Sequence, residues 1–171
     1  CSSLTSVTIP DSVTSIGQGA FAECESLVAI NVSENNNAFS SGEGVLFNKD
    51  KSKILQYPGG KENTEYAIPD SVTSIGDSAF RYCSSLSSVT IPDSVTSIGY
   101  CAFEDCSSLT DIYYSGSESD WSNISIDSYG NSYLVSATVH FSINENNPDD
   151  NIGDDGLYDD WEYEITNNEV C

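Results

Sequence analysis

Hydrophobic and polar residues follow one order that recurs along this chain. Each unit begins Leu-x-x-Val-x-Ile-Pro, continues Ser-Val-Thr-Ser-Ile-Gly and ends in a short Ala-Phe-x-x-Cys turn, as in residues 4–24. In the first segment Val7 and Ile9 alternate with serine and threonine, a period of two that is typical of a half-buried β-strand. Proline has no amide donor, so Pro10 ends this strand. The pattern therefore predicts one short strand in each unit.

The repeat is regular enough to define the fold. Residues 1–24 and 83–106 are identical at 19 of 24 positions, and a third copy, residues 69–83, runs directly into the second. The period is 23 residues, but the interval from Cys24 to Cys83 is 59 residues, which is 13 more than two units need. One unit cannot bury its apolar side chains alone, whereas a stack of units can. We therefore expect a repeat solenoid.

Stacking at this period brings equivalent residues of successive units into ladders. The expected ladders are Leu4/Leu27/Leu86/Leu109, Ile9/Val32/Ile68/Ile91 and Phe21/Phe80/Phe103. The strands are predicted near residues 7–9, 30–32, 66–68, 89–91, 112–114 and 139–141, side by side in one parallel sheet. We expect Gly17, Gly76 and Gly99 to allow the bend into a single helical turn, from which each phenylalanine points inward.

The 13 surplus residues fit the segment 44–60, GVLFNKDKSKILQYPGG. Two apolar stretches flank a polar turn at residues 48–51, which is typical of a β-hairpin. We expect this hairpin to grow out of one repeat and to interrupt the solenoid without ending it.

These motifs resemble the BspA-like leucine-rich repeat family over residues 1 to about 142. The resemblance rests on the IPDSVTSIG runs at 9–17, 68–76 and 91–99, on the hairpin sequence GVLFNKDKSKILQYP, and on IYYSGSESDWSNI at 112–124. It implies a right-handed α/β repeat solenoid with one parallel β-sheet, short helical turns and a β-hairpin insertion. It also implies export to the bacterial cell surface and a role in adhesion or protein binding, with no catalytic residue and no cofactor.

The domain organisation follows from where the repeat stops. We assign residues 1–142 to the solenoid, with residues 112–142 as its C-terminal cap. Residues 143–160 are predicted to be an acidic linker, and residues 161–171 resemble the start of a further module or a tail. The aromatic residues of the cap are Trp121, Tyr129 and Tyr133. Covering the open end of the core is their expected role, because a solenoid needs a cap.

Charge narrows the class of partner. The 171 residues include 27 acidic and 5 basic residues, a formal net charge of −22, which repels phosphate backbones and anionic lipid head groups. No segment approaches the run of about 20 apolar residues that spans a bilayer. We therefore expect a monomer without a nucleic-acid partner or membrane insertion. Because Cys1 falls inside a repeat unit, we also expect a longer precursor.

Cys1, Cys24, Cys83 and Cys106 occupy the same place in successive units. Neighbouring parallel strands lie about 4.8 Å apart, and side chains that point the same way rarely reach the crossed geometry of a disulfide. We expect buried free thiols that pack as small hydrophobic groups. A zinc site is not expected, because no Cys-x-x-Cys pair is present.

His140 is the only histidine, so any Ser-His-Asp arrangement would have to use it. Alternation places Val139 and Phe141 inward and His140 on the outer face, and the local sequence supplies neither a nucleophile elbow nor an orienting acid. We expect that the chain is not an enzyme, and a hydrolase using His140 is the least favoured alternative.

A calcium site is a weak candidate in the acidic segment 151–162. Asn151, Asp155 and Glu162 fall at the first, fifth and twelfth positions of a twelve-residue calcium loop, but Gly153 stands at the third position, where an oxygen-bearing side chain is needed. A solvated acidic linker is the preferred interpretation.

Two surfaces are candidates for binding a protein. The first is the strand row, the outward-facing residues of the strands, which is small, polar and flat and carries too few aromatic rings for stacking on sugars. The second is a group of lysines in or beside the hairpin, which either meets an acidic partner or protects an exposed hairpin edge from pairing with other chains. The candidate binding residues are Ser6, Thr8, Asn31, Lys49, Lys51, Lys53, Lys61, Glu65, Ser88, Thr90, Asp111 and Tyr113.

The predicted function is a secreted or surface-exposed bacterial recognition module that binds an extracellular or host-surface protein. The alternative is a structural spacer that presents other domains of a longer surface protein. A spacer would have no saturable partner, so a binding screen separates the two.

The ladder predicts that Phe80 is fully buried. Phe80→Ala should lower the free energy of unfolding by about 3–5 kcal/mol, because both transfer free energy and packing are lost. Urea melts of the two proteins measure the difference. A loss below about 1 kcal/mol would show that the ladder has been misassigned.

Overall fold

The structure, a computed structural model, describes residues 1–21 and 23–142, and there the chain winds into a solenoid of stacked coils. In chain order the elements are β1 (Ser6–Ile9), β2 (Ala29–Val32), β3 (Phe39–Gly42), β4 (Val45–Asn48), β5 (Lys53–Gln56), β6 (Glu65–Ala67), β7 (Ser74–Ile75), β8 (Ser88–Ile91), β9 (Ser97–Ile98), β10 (Asp111–Tyr114), α1 (Glu118–Ser122), β11 (Ser125–Ile126), α2 (Ser132–Ser136) and β12 (Thr138–Phe141). The six predicted strands are present as β1, β2, β6, β8, β10 and β12. Every neighbouring pair among them that is hydrogen-bonded is parallel, which confirms the repeat solenoid.

The prediction of one continuous sheet is wrong, because the sheet breaks between β2 and β6. Strands β1 and β2 form a two-stranded sheet, and β6, β8, β10 and β12 form a separate four-stranded sheet. The ladder of leucines that begins at Leu4 and the ladder that begins at Ile9 break at the same place. Leu27 and Val32 belong to a small N-terminal core, whereas Ile68 and Leu86 belong to a larger C-terminal core.

Hydrogen bonding explains the break. In a regular unit Ile68 donates its amide to the Thr90 carbonyl of the next unit, at 3.0 Å. Val32, its counterpart in β2, donates instead to Ser41 Oγ at 3.0 Å, and Ile30 donates to the Gly44 carbonyl at 2.8 Å. The amides of β2 that would pair with the next unit are therefore satisfied by the insertion, which in the structure runs from β3 to the end of the predicted hairpin, residues 39–60.

The predicted hairpin is confirmed as the antiparallel pair β4 and β5, and β3 adds a third antiparallel strand. Side chains of β4 alternate between the two cores. Val45 and Phe47 pack in the C-terminal core, and Leu46 packs in the N-terminal core. The insertion therefore lies between two blocks of coils and packs against both, instead of projecting from one of them.

A third sheet was not predicted. Strands β5, β7, β9 and β11 run parallel, and β4 and β3 extend this sheet to six strands. Ile54, Ile75, Ile98 and Ile126 are in register across it. The Ser-Val-Thr-Ser-Ile-Gly segments of two units therefore contribute strands of their own, β7 and β9, each only two residues long, whereas the same segment of the first unit, residues 12–17, contributes none.

The aromatic ladder is real, but its members differ from those predicted. Phe80 is fully buried, as predicted, and its ring stacks on that of Phe103 with centroids 4.8 Å apart and planes 4° apart. On its other side Phe80 stacks on Tyr57, with centroids 5.3 Å apart. Phe21, the predicted neighbour, instead packs at the edge of the N-terminal core.

Backbone contacts identify Tyr57 as the ladder residue of the interrupted unit. Its amide donates to the Ala79 carbonyl at 2.7 Å, just as the Phe80 amide donates to the Ala102 carbonyl at 2.8 Å. Tyr57 and Phe80 are also one 23-residue period apart in the sequence.

The predicted helical turns are hydrogen-bonded turns without helix, and within the described residues α-helices occur only in the cap. The expectation that Gly76 allows the bend through an unusual backbone angle is wrong, because its φ is not positive. A Cβ atom there would lie 2.8 Å from the Ile54 carbonyl oxygen, so glycine permits close approach of two coils. The left-handed residue of the turn comes two positions later, at Gly19, Ser78 and Cys101, with φ of 65°, 57° and 51°.

The cysteine ladder consists of free thiols, as predicted. Cys24, Cys83 and Cys106 are buried, and Cys1 is exposed at the first unit. The thiol of Cys106 donates to the Phe80 carbonyl at 3.0 Å. Burial raises the pKa of Cys106 to about 12 and raises the pKa of Cys83 well above its ordinary value. Both side chains are therefore protonated packing groups at neutral pH.

The cap covers the end of the core with two of the three predicted aromatic residues. Trp121 and Tyr133 pack against the C-terminal core, and Trp121 meets the Tyr114 ring edge-on at 5.2 Å. Tyr129 does not cover the core, because it is 60% exposed and stacks on Tyr100 instead.

Asn36 joins the first coil to the insertion. This side chain has no exposed surface, and its Nδ2 donates to the carbonyls of Pro10 and Val13 at 2.8 and 2.9 Å. Its Oδ1 accepts from the amides of Ala38 and Phe39, both at 2.8 Å. All four hydrogen-bonding positions of the amide are therefore used.

Asn36→Ala should lower the free energy of unfolding by about 2–4 kcal/mol, because backbone groups lose their partners in a buried place. Asn35→Ala is the matched control, because Asn35 is exposed, and it should change stability by less than about 0.5 kcal/mol. Urea melts measure both changes. Equal effects of the two substitutions would contradict this role for Asn36.

Candidate functional site

The four-stranded sheet arranges part of the strand row in two adjoining lines. Glu65, Ser88 and Asp111 are in register on β6, β8 and β10, and Thr90 and Tyr113 are in register on β8 and β10. Neighbouring strands of a sheet lie about 4.8 Å apart, so these side chains form one continuous outer surface. The structure therefore brings five of the predicted binding residues together.

The remaining members of the strand row lie apart from these five. Thr8 is in register with Asn31, and Ser6 is also on the two-stranded sheet. The break between β2 and β6 separates them from the four-stranded sheet, so the predicted row is two surfaces rather than one.

The C-terminal end of the row is an aromatic and acidic cluster around His140. As predicted, His140 is on the outer face, where β12 places it beside Tyr113. The two rings stack with centroids 4.7 Å apart and planes 15° apart, and His140 Nε2 lies 2.8 Å from Asp111 Oδ1. The sequence did not reveal this pairing, because the cap changes the spacing between strands from 23 to 27 residues.

Hydrogen bonds favour the charged form of Asp111. The bond with His140, followed by the bond that the Thr110 hydroxyl donates at 2.7 Å, lowers the pKa of Asp111 below its ordinary value. In this cluster the Thr110 hydroxyl donates to the carboxylate and not to the imidazole. The geometry therefore does not place His140 as a general base for Thr110.

The lysines lie at both ends of the hairpin. Lys49 donates to the Asn36 carbonyl, and Lys51 lies over the Phe47 ring at 5.9 Å from its centroid. Lys61 is beside the turn between β3 and β4, where it donates to the Glu43 carbonyl at 2.8 Å.

Three of the four lysines, Lys49, Lys51 and Lys61, contact other residues of their own chain. Lys61 also lies over the Tyr57 ring, 5.8 Å from its centroid, a geometry that favours a cation over an aromatic face. Lys53 is exposed on β5. Among the four, Lys53 is therefore the position at which a charge change disturbs the hairpin least.

Other predicted sites are not represented. The calcium candidate Asn151, Asp155 and Glu162, the linker at 143–160 and the tail at 161–171 all lie outside the described residues. Across residues 1–21 and 23–142, no group of three or more His, Cys, Asp or Glu side chains is arranged to hold a metal ion. No helix in that part of the chain is long and apolar enough to cross a bilayer.

Comparison with known families gives one match over most of the chain. The model of the family described as BspA type leucine rich repeat region matches residues 1–61 and 57–148, in six copies. No curated protein is significantly similar to this chain.

Solved structures of bacterial repeat proteins share the fold. The pneumococcal vaccine antigen PcpA is 33% identical with a TM-score of 0.60, and the match covers 63% of this chain and 26% of that one. A leucine rich cell surface protein from Faecalibacterium prausnitzii is 27% identical with a TM-score of 0.54, covering 73% of this chain and 52% of that one.

A leucine-rich repeat protein from Eubacterium ventriosum, 24% identical with a TM-score of 0.56, supports the fold alone, and the match covers 82% of this chain and 49% of that one. The chain therefore spans between 26% and 52% of the length of these three proteins.

The Asp111 pair should make stability depend on pH. Because the folded pKa of Asp111 is below the unfolded value, its contribution is present above about pH 4 and is lost as pH falls through the folded pKa. His140→Phe keeps a ring against Tyr113 but removes the hydrogen bond, so the gain in stability between about pH 2.5 and 5 should become smaller. Urea melts at both pH values, with Thr138→Ala as control, measure this gain. An unchanged gain in the His140 variant would show that the pair does not stabilise the fold.

Proposed function

Because the chain belongs to the BspA-type leucine-rich repeat family, we propose that it is a non-catalytic recognition module of the bacterial cell surface or secreted fraction. Its partner is an extracellular or host-surface protein. PcpA is named a vaccine antigen and the Faecalibacterium prausnitzii protein a cell surface protein, which supports this location.

The observation that carries the proposal is the strand row of the four-stranded sheet. Ser88, Thr90 and Asp111 are short side chains held on a rigid surface, so little side-chain entropy is lost when a partner covers them, and Glu65 adds a longer acidic side chain in register with Ser88. Tyr113 adds a ring held in place by His140. A fixed aromatic residue within a polar surface is typical of the residues that dominate protein interfaces.

The competing function is a spacer that presents other domains. The small side chains of the strand row suit a spacer as well as an interface. A spacer has no saturable partner, however, so the two functions differ in a measurable property. Biosensor binding of the 171-residue chain to immobilised extracellular-matrix and host-surface proteins distinguishes them.

A bulky charged side chain in the middle of the strand row should block the binding of a partner that this biosensor screen identifies. Thr90→Arg should lower its affinity at least about tenfold, because Thr90 lies between Ala67 and Tyr113 in the sheet. Ser107→Arg is the matched control, because it adds the same charge at an exposed turn and should leave the affinity unchanged. Equal affinities of the two variants would remove the strand row from the interface.

Reversing the charge of the hairpin lysines tests whether the partner is acidic. If the partner is acidic, Lys53→Glu should slow association and flatten its dependence on salt, and the triple reversal of Lys49, Lys51 and Lys53 should do so more strongly. Circular dichroism checks that the hairpin is intact, since Lys49 and Lys51 contact their own chain. Unchanged association rates at low and high salt would leave these lysines as protection of the hairpin edge.

A further inference from the structure

The interrupted unit lacks part of its turn. In a regular unit four residues separate the isoleucine of the six-stranded sheet from the ladder aromatic, as between Ile75 and Phe80. In the interrupted unit only two residues lie between Ile54 and Tyr57, the equivalent positions. Two residues are therefore missing from one turn of the stack, and the turns on either side are left without a neighbour between them.

A cavity of about 90 Å³ lies where the missing turn would be. Its apolar wall includes Ile16, Phe21, Leu46 and Leu55. The amide of Gln56, also in the lining, is taken up by backbone carbonyls, since Nε2 donates to Tyr57 at 2.9 Å and to Ala79 at 3.4 Å. A cavity of about 150 Å³ can hold benzene, so this smaller one has room for an aliphatic side chain. We name it the notch.

An exposed aromatic pair adjoins the notch. Asp77 is in the notch lining, receives a hydrogen bond from Gln18 across it, and accepts from the Tyr100 amide through Oδ1 at 3.0 Å. Tyr100 and Tyr129 are 47% and 60% exposed and stack with centroids 4.9 Å apart and planes 6° apart. Asp127 lies beside them, since its Oδ1 accepts from the Tyr129 amide at 2.9 Å. The notch, Asp77 and the two tyrosines form what we name the turn surface.

Charge determines what this surface accepts. Aromatic faces and carboxylates both attract cations, and Asp77 and Asp127 lie next to the exposed rings. Lys53 is the cation of the notch lining, so the negative end of the turn surface is the end with the tyrosines. The net charge of −22 adds a long-range attraction for basic segments.

We propose that the turn surface binds an extended segment of a partner protein in which an aliphatic residue stands close to a lysine or arginine. The aliphatic side chain enters the notch, and the basic side chain lies against the tyrosine pair beside Asp77. This site is separate from the strand row, and its preference for a basic segment is opposite to that of the hairpin lysines.

Short blocked peptides test the site directly by nuclear magnetic resonance. The probes are pentapeptides with one leucine and one lysine at each possible spacing, added to the isotopically labelled chain. At least one spacing should bind with a Kd of about 1 mM and shift the amides of Gly17, Leu55, Asp77, Tyr100 and Tyr129. Peptides with glutamate for lysine, or glycine for leucine, should bind at least about fivefold more weakly. Equal binding of the control peptides, shifts confined to other residues, or no shifts at all would overturn the proposal.

Variants separate the two halves of the site. Asp77→Asn keeps an oxygen acceptor for the Tyr100 amide but removes the charge and the acceptor of the Gln18 hydrogen bond, so it should weaken the lysine peptide about threefold or more without weakening the glutamate peptide. Asp70→Asn makes the same change at an exposed position and serves as the control. Tyr129→Leu keeps an apolar side chain without an aromatic face and should also weaken the lysine peptide. Equal weakening by Asp70→Asn, or none by Asp77→Asn and Tyr129→Leu, would contradict a site built on charge and aromatic faces.

Discussion

Each coil of this molecule is held in place by the next coil, about one period further along the chain. The amide of Ile68 donates to the Thr90 carbonyl and the amide of Phe80 donates to the Ala102 carbonyl, while the ring of Phe80 stacks on that of Phe103 in the next coil. Backbone groups buried in this way need partners, and each coil can supply them only when its neighbour presents the matching groups in register. The parallel pairing in all three sheets and the aromatic ladder depend on this one constraint.

The insertion meets this constraint where the repeat fails. It supplies Ser41 Oγ and the Gly44 carbonyl to the amides of β2, and it supplies Tyr57 to the aromatic ladder. What it does not supply is a full turn, which leaves the notch beside Leu55 and Asp77. The inserted residues thus add a hairpin at one place, and the shortened turn removes packing at another. Each of these departures gives an otherwise uniform stack a distinctive local surface.

Alternation and period were enough to predict the solenoid, its parallel strands, the hairpin and the burial of Phe80. They were not enough for β7, because two residues are too few to alternate, or for Tyr57, whose neighbours do not resemble the Ala-Phe turn. The break in the sheet depends on a side-chain acceptor, Ser41, that has no periodic signal. The outward strand row could be predicted from alternation, but the pairs formed by His140 and by Tyr129 depend on the different spacing of the cap.

Native-state amide hydrogen exchange tests most directly whether the insertion divides the stack into two blocks. The C-terminal core is much larger than the N-terminal core, so amides such as Ile68, Phe80 and Gly99 should share one high opening free energy. Amides of the first block, such as Val28 and Ser33, should open together at a lower free energy. One common opening free energy on both sides of the insertion would contradict a division at the hairpin.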